Sequence, residues 1–169
     1  MKKNLVLLGM MGVGKTTIGK TVAKKHGLEF IDTDSNVEKS CSMKITEIFK
    51  KKGEGFFRIE EEKEVLKSLK KSNCVIALGG GAFINDNVRR NIIKYTVSIW
   101  LDVNLKILNQ RIKWSKKRPL LGKENNQKKI NKIYSERKNI YKQADHKINC
   151  DKLNKVEVIK KITAIYEKY

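Results

Sequence analysis

A glycine-rich segment near the N-terminus carries the residues whose chemistry is clearest. Residues 9–16 read Gly-Met-Met-Gly-Val-Gly-Lys-Thr, a complete G-x-x-x-x-G-K-T phosphate loop, and an apolar run at residues 5–8 precedes them. A buried strand, a glycine turn and a helix start are the context that this motif requires. The backbone N–H groups and the helix N-terminus would face a polyphosphate, with Lys15 on its outer phosphates and Thr16 on Mg²⁺. The segment predicts nucleotide binding and leaves the reaction open.

Two carboxylates follow the second apolar run of the chain. Asp32 and Asp34 stand two residues apart at its end, where ligands bind in open α/β sheets. One carboxylate could hold Mg²⁺ through water while the other accepts a proton from a substrate hydroxyl. The alternative is that they only cap a helix that begins near Asn36. Beside a phosphate loop we favour the catalytic interpretation.

A triple glycine and an arginine offer candidate contacts to a second substrate. The glycines at 79–81 follow the third apolar run, where they either let the backbone approach a ligand or form a tight turn. Arg58 could clamp a carboxylate or phosphate with two parallel hydrogen bonds, and Phe57 could form an apolar wall for a ring. The alternative for Arg58 is a surface pair with Glu61 or Glu62 at helical spacing.

Three of the arginines in the second half of the chain are further candidates. Arg111 precedes the polar segment 113–129 and Arg118 lies within it; the segment holds the only proline and reads as an excursion from the core. An arginine on such a lid could close on the transferring phosphates, stabilise charge and exclude water. Arg137 stands among lysines, which is consistent with a need for the two-donor geometry of a guanidinium.

The composition limits the classes of partner. The 169 residues carry a formal net charge of +20, but lysine greatly outnumbers arginine and is scattered along helical faces. Nucleic-acid sites favour arginine and interleaved aromatic residues, so we interpret the charge as a solvated surface that attracts anionic substrates. Three widely spaced cysteines show no metal-ligand or disulfide pattern. No apolar run approaches the ~20 residues of a membrane span.

Alternating apolar runs and helical patterns predict the elements that must position these residues. We read the first run as a buried strand rather than a leader peptide, and expect a cytoplasmic protein. The predicted strands lie at 4–8, 28–32, 74–78, 97–101 and 146–150, and the predicted helices at 16–25, 54–70, 86–94, 104–114, 126–143 and 153–169. The alternation is typical of a doubly wound α/β sheet with right-handed crossovers.

Taken in order, these motifs resemble those of the shikimate kinase family, small phosphate-loop kinases of the nucleoside-monophosphate-kinase type. The matching segments are 9–19, the D-x-D at 32–34, the G-E-x-x-F-R-x-x-E at 53–61, the triple glycine, the R-P-L-L at 118–121 and the late E-R, Tyr and Ala-Asp at 136–145. The resemblance covers essentially the whole chain. It departs at Asn139 and Ile140, where the family has Pro-Leu, and at Gln143, where an acidic residue is common; these changes could loosen the helix but keep Arg137.

The resemblance implies a three-layer α/β/α fold with a five-stranded parallel sheet in the order 2-3-1-4-5. It implies one kinase domain over 1–169, with its phosphate loop at 9–17, a substrate-binding region at about 33–61 and a mobile lid at about 112–125. It also implies transfer of the γ-phosphoryl group of ATP to the 3-hydroxyl of shikimate with Mg²⁺, by a monomer without nucleic-acid or membrane partners. A gluconate-type kinase on the same fold and a basic nucleic-acid-binding ATPase are the alternatives.

The same resemblance implies a role for each site residue. The implied catalytic residues are Lys15, Asp34 and Arg118. The implied nucleotide contacts are Gly12, Val13, Gly14, Lys15, Thr16, Thr17, Arg111 and Arg118, with Arg111 along the adenine. Thr16 and Asp32 would hold Mg²⁺. The implied shikimate contacts are Asp34, Phe49, Phe57, Arg58, Gly79, Gly80, Gly81 and Arg137, with both arginines of this set on the carboxylate.

Overall fold

The five apolar runs form one parallel sheet in the computed structural model, which describes residues 3–113 and 126–169. The strands are β1 (Asn4–Leu8), β2 (Glu29–Asp32), β3 (Cys74–Ala77), β4 (Thr96–Asp102) and β5 (His146–Asn149). Their order is β2-β3-β1-β4-β5, which confirms the predicted order, and every pairing is parallel. β1, β3 and β4 are buried along their whole length, as parallel strands covered on both faces must be.

Helices connect the strands and cover both faces of the sheet. They are α1 (Lys15–His26), α2 (Thr33–Cys41), α3 (Ile45–Leu69), α4 (Asp86–Tyr95), α5 (Leu105–Lys113), α6 (Asn126–Tyr141) and α7 (Lys155–Tyr166), with a 3₁₀ turn at Ala82–Ile84. The step from β1 to β2 runs opposite to the later steps, so right-handed crossovers place α1 on one face and α2 to α6 on the other. The contacts of α1 with α7 and of α3 with α4 agree with this division.

Two helical stretches lie outside the helices predicted with bounds, although a helix beginning near Asn36 was the alternative interpretation of the two carboxylates. The helix predicted at 54–70 begins instead at Ile45, and its axis breaks at Gly53, whose φ of 84° lies outside the helical region. The residues just after β2 form α2, a polar helix that buries only Thr33 and Val37. Neither stretch shows a long apolar periodicity, because each contributes a short contact surface rather than a face of the main core.

The substrate-side helices have a small core of their own. Val37, Ile48 and Phe57 form a buried cluster separate from the main core around the sheet, and Phe49 packs against it. The rings of Phe49 and Phe57 lie 4.9 Å apart between centroids. α2 and α3 therefore form a small packed unit beside the carboxyl ends of β2 and β3. In the described part of the chain, no helix has both the length and the hydropathy needed to cross a membrane.

Candidate active site

The phosphate loop follows β1 in the conformation that its glycines permit. Gly9, Gly12 and Gly14 have φ values of 138°, 83° and 99°, which side chains rarely adopt. Gly14 is the residue before α1, so the helix N-terminus opens directly onto the loop. The Lys15 ammonium donates hydrogen bonds to the carbonyl oxygens of Gly9 at 2.8 Å and Met10 at 3.0 Å. The backbone of the loop thus binds the side chain of its own lysine.

The Asp32 carboxylate accepts hydrogen bonds from two neighbouring residues. Its Oδ1 accepts the Ser35 N–H at 3.1 Å and caps α2, while its Oδ2 accepts the Thr16 hydroxyl at 2.7 Å. The helix-capping interpretation therefore holds for Asp32 without excluding the functional one. A hydroxyl beside a carboxylate fits Mg²⁺, which uses one or two protein oxygens and completes its shell with phosphates and water. Within the described ranges, no group of three or more His, Cys, Asp or Glu side chains could hold a metal without a substrate.

A cavity of about 740 Å³ brings most of the predicted site residues together. Those that line it are Gly12, Gly14, Lys15, Thr16, Thr17, Asp32, Asp34, Phe49, Phe57, Arg58, Gly80, Gly81 and Arg137. They come from the phosphate loop, from the ends of β2 and β3, and from α3 and α6. Residues from distant parts of the chain thus share one space at the carboxyl edge of the sheet, where α/β proteins bind ligands.

Asp34 lies in this cavity against the backbone of Gly79. A methyl group on Gly79 would collide with Asp34 Oδ1 and would lie 2.6 Å from Glu61 Oε1, so a side chain at this position would have to displace both carboxylates. Burial, followed by the negative charge of Glu61, raises the pKa of Asp34 to about 6, while Lys15 acts in the opposite direction. A carboxylate with a pKa near the working pH is well suited to accept a proton from a hydroxyl.

Arg58 makes the helical ion pair and also faces the cavity. Its Nη1 lies 2.7 Å from Glu61 Oε2 and its Nη2 lies 2.9 Å from Glu54 Oε1. Its guanidinium also lies against Gly81, where a methyl group would collide with it, and over the Phe57 ring. The pairing that the sequence offered as an alternative therefore positions Arg58 at the cavity wall. Two carboxylates fix the guanidinium and leave its remaining surface for a ligand.

Glu61 is a cavity residue to which the sequence prediction gave no site role. Its side chain is 4% exposed, and its burial raises the pKa of its carboxyl group, against the effect of Arg58. It contacts both Arg58 and the Gly79 backbone, so it connects the two predicted substrate contacts. The spacing of three residues after Arg58 is the available signal in the sequence, and it fits a helix-surface pair equally well.

Arg137 reaches the triple glycine from α6. Its Nη1 donates to the Gly80 carbonyl oxygen at 2.8 Å, and the buried Tyr141 hydroxyl, one helical turn later, donates to the same oxygen. α6 is thereby attached to the end of β3 by two donors. Because Arg58 lies at Gly81, two guanidinium groups stand on adjacent glycines and could hold one carboxylate between them. The Asn139 and Ile140 departures leave this arrangement in place.

A second cavity, of about 180 Å³, lies behind the phosphate loop. Val13, Gly14 and Thr17 form one side of it, and Arg111 lines it as well. The remaining lining residues are Ile18, Cys150, Leu153, Lys155 and Val158; the sequence analysis assigned no contact to any of them. Burial raises the pKa of Cys150 to about 11, which keeps it a neutral thiol. Arg118 lies outside the described residues, as does the predicted lid at 112–125 beyond its first two positions.

Known proteins match this chain over nearly its whole length. A family model for shikimate kinase matches residues 11–167. A shikimate kinase from Bartonella henselae is 41% identical over 165 residues, covering 98% of this chain and 79% of the relative. One from Thermodesulfovibrio yellowstonii is 40% identical over 166 residues, covering 98% of this chain and 96% of the relative.

The solved structures that resemble this chain include some that are similar in both sequence and fold and others that are similar in fold alone. Shikimate kinase from Acinetobacter baumannii in complex with shikimate superposes with a TM-score of 0.95 at 30% identity, covering 99% of this chain and 94% of that chain. A gluconokinase from Sinorhizobium meliloti reaches a TM-score of 0.60 at 13% identity, over 99% of this chain and 93% of that chain. The second comparison shows a shared fold alone.

Proposed function

The chain belongs to the shikimate kinase family, and from this premise and the site geometry we propose how it works. It transfers the γ-phosphoryl group of ATP to the 3-hydroxyl of shikimate, giving shikimate 3-phosphate and ADP within aromatic amino-acid biosynthesis. The observation that carries the proposal is one cavity that holds a phosphate loop, a carboxylate of raised pKa and two guanidinium groups. These groups match a phosphoryl donor, an alcohol acceptor and the carboxylate of shikimate.

The donor side is built from the phosphate loop and the cavity behind it. The backbone N–H groups at 12–17 and Lys15 bind the phosphates of ATP, and Lys15 leaves its loop carbonyls for them. The adenine lies along Arg111 in the second cavity. Thr16 and Asp32 hold Mg²⁺, which neutralises phosphate charge when bound.

The acceptor side places one hydroxyl near the γ-phosphorus. Arg58 and Arg137 bind the shikimate carboxylate, and the aromatic pair Phe49 and Phe57 packs on the ring. Backbone N–H groups of Gly80 and Gly81 contact the ring substituents, whereas the Gly79 N–H is bound to the Thr33 hydroxyl. Shape and charge thus orient the ring within the cavity before any bond changes.

Asp34 accepts the proton of the 3-hydroxyl group as the oxygen of that hydroxyl attacks the γ-phosphorus of ATP. The bond from the γ-phosphorus to its bridging oxygen breaks, and ADP leaves. Lys15 and Arg118 stabilise the charge on the transferring group, with Arg118 supplied by the lid at about 112–125. Most of the catalysis is positioning and charge stabilisation, which suits side chains held at rigid strand ends.

We further infer that one domain over 1–169 acts as a monomer in the cytoplasm, without nucleic-acid or membrane partners. The three cysteines are free thiols, which supports a reducing compartment.

A coupled assay of ADP release tests the function. We expect turnover that requires ATP, Mg²⁺ and shikimate together. Turnover with gluconate or a nucleoside monophosphate, and none with shikimate, would refute the assignment. Tight, salt-sensitive binding in a gel-shift titration at physiological ionic strength would favour a nucleic-acid-binding ATPase instead.

A further inference from the structure

Thr33 lies between the two site carboxylates but points away from the cavity. Its side chain is completely buried. The hydroxyl donates to the Ala77 carbonyl oxygen at 3.3 Å and accepts the Gly79 N–H at 3.0 Å. A single side chain therefore bonds both a donor and an acceptor on the backbone at the end of β3.

These bonds continue the pairing of β2 with β3 by one step. The last paired residues of the two strands are Asp32 and Ala77, and beyond them the chain of β2 turns into α2. The helical backbone can no longer pair with the neighbouring strand. Buried backbone groups need partners, and the Thr33 hydroxyl provides them at the point where the ladder stops.

Gly79, whose N–H donates to the Thr33 hydroxyl, is also the residue against which the Asp34 carboxylate packs. The Gly79 Cα lies so close to Asp34 Oδ1 that no methyl group fits between them. Gly79 is also followed by Gly80, whose carbonyl oxygen accepts the Arg137 hydrogen bond. A displacement of Gly79 would therefore move both Asp34, the proposed base, and the Gly80 contact of Arg137, which is proposed to bind the shikimate carboxylate.

We propose that Thr33 is a positioning residue for phosphoryl transfer, and that its hydroxyl holds Gly79 at the distance from Asp34 that the acceptor hydroxyl requires. The inference rests on the proposed function. Asp32 has separate support from Ser35 and Thr16, so the metal and nucleotide side keeps its geometry without the Thr33 hydroxyl. The effect of losing the hydroxyl therefore falls on the shikimate side.

Steady-state kinetics of three variants test the proposal. Thr33→Val keeps the shape and removes the hydroxyl; a displacement of about 1 Å at the reacting groups predicts a loss of roughly 10- to 100-fold in kcat/KM for shikimate. We expect the KM for ATP to stay within about threefold, and Thr33→Ser to stay within about threefold of wild type in all parameters. The matched control is Thr96→Val, since Thr96 is also buried and donates to a backbone carbonyl, at the opposite end of the sheet. This control should keep full kcat/KM.

Amide hydrogen exchange at Gly79 measures the same bond without turnover. We expect the Gly79 amide to be protected in the wild type and in Thr33→Ser, and to exchange faster in Thr33→Val or, if that variant does not fold, in Thr33→Ala. An unprotected Gly79 amide in the wild type overturns the inference. So does a folded Thr33→Val with wild-type kcat/KM, or a Thr33→Ser as slow as Thr33→Val. A wild-type protein that does not phosphorylate shikimate overturns the proposed function as well as the inference built on it.

Discussion

Replacing Asp34 with asparagine is expected to stabilise the protein at neutral pH while it removes the kinase activity. The carboxylate is partly buried beside Glu61, and its pKa is raised from 3.8 to about 6. The folded state thus binds this proton more tightly than the unfolded chain does. As the pH rises from 4 to 6 the unfolded chain releases the proton first, so the free energy of unfolding falls. Asparagine has no titratable proton, so the variant does not undergo this fall in the free energy of unfolding.

The size of the effect follows from the two pKa values. A rise from 3.8 to about 6 corresponds to about 3 kcal/mol of lost stability above pH 7. Because the cavity is open to water, we take about 1–3 kcal/mol as the expected range. For a chain of this size, that range shifts the melting temperature by roughly 2–12 °C. Loss of the general base lowers kcat by about 10²- to 10⁴-fold.

Thermal unfolding followed by circular dichroism between pH 4 and pH 8 provides the test. The buffer contains EDTA and no nucleotide or shikimate, so that only the protein's own charges act on Asp34. The melting temperature of Asp34→Asn, relative to wild type, should rise with pH through this range. Glu167→Gln, which removes an exposed carboxylate near the C-terminus, is the control for the loss of one negative charge. A difference that is flat with pH, or an Asp34→Asn enzyme that retains wild-type kcat, refutes the reasoning.

Three further substitutions address other parts of the site. Arg58→Ala should raise the KM for shikimate by about 10²-fold and leave ATP binding intact, because the lost charge-assisted bonds are worth about 1.5–3 kcal/mol; equal loss of both substrates would point to misfolding or a wrong assignment. Gly79→Ala should lower kcat/KM at least about tenfold, because its methyl group displaces two carboxylates. Gly55→Ala, whose methyl group meets open space, should be active and, by helix propensity, up to about 1 kcal/mol more stable; impaired activity there would undermine the comparison. Asp32→Asn should raise the Mg²⁺ concentration for half-maximal activity about tenfold, measured by Mg²⁺ titration; an unchanged titration would remove Asp32 from the metal site.

The strands were predictable because a parallel sheet covered on both faces needs uninterrupted apolar runs. Residues 5–8 and 74–77 are such runs, and each lies within a strand of the structure. α2 was not predictable in this way, since two buried side chains in nine residues leave no helical period to detect. The break at Gly53 similarly divides α3 into two pieces, and only the second piece carries a clear pattern.

The candidate site was predictable to the extent that its residues lie in local motifs. The phosphate loop, the D-x-D and the triple glycine are each contiguous, and the sheet order brings them to one edge. The contacts of Thr33 and Glu61 with Gly79 join segments that are distant in the sequence, so no spacing could indicate them. Cys150 in the second cavity was missed for the same reason, because β5 approaches the phosphate loop only in the folded chain.

The bonds from Lys15 to its own loop have a consequence for nucleotide affinity and release. On the proposed role of Lys15, the phosphates of ATP would replace two carbonyl oxygens as partners of the ammonium, and binding would gain only the difference in strength between the two sets of bonds. The two hydrogen bonds also hold the loop in its curved form before the donor binds, which lowers the ordering entropy of binding. When ADP departs, the same carbonyl oxygens would accept the hydrogen bonds of the ammonium again. Carbonyl partners for Lys15 within the loop therefore favour moderate affinity for ATP and rapid release of ADP over tight binding of either nucleotide.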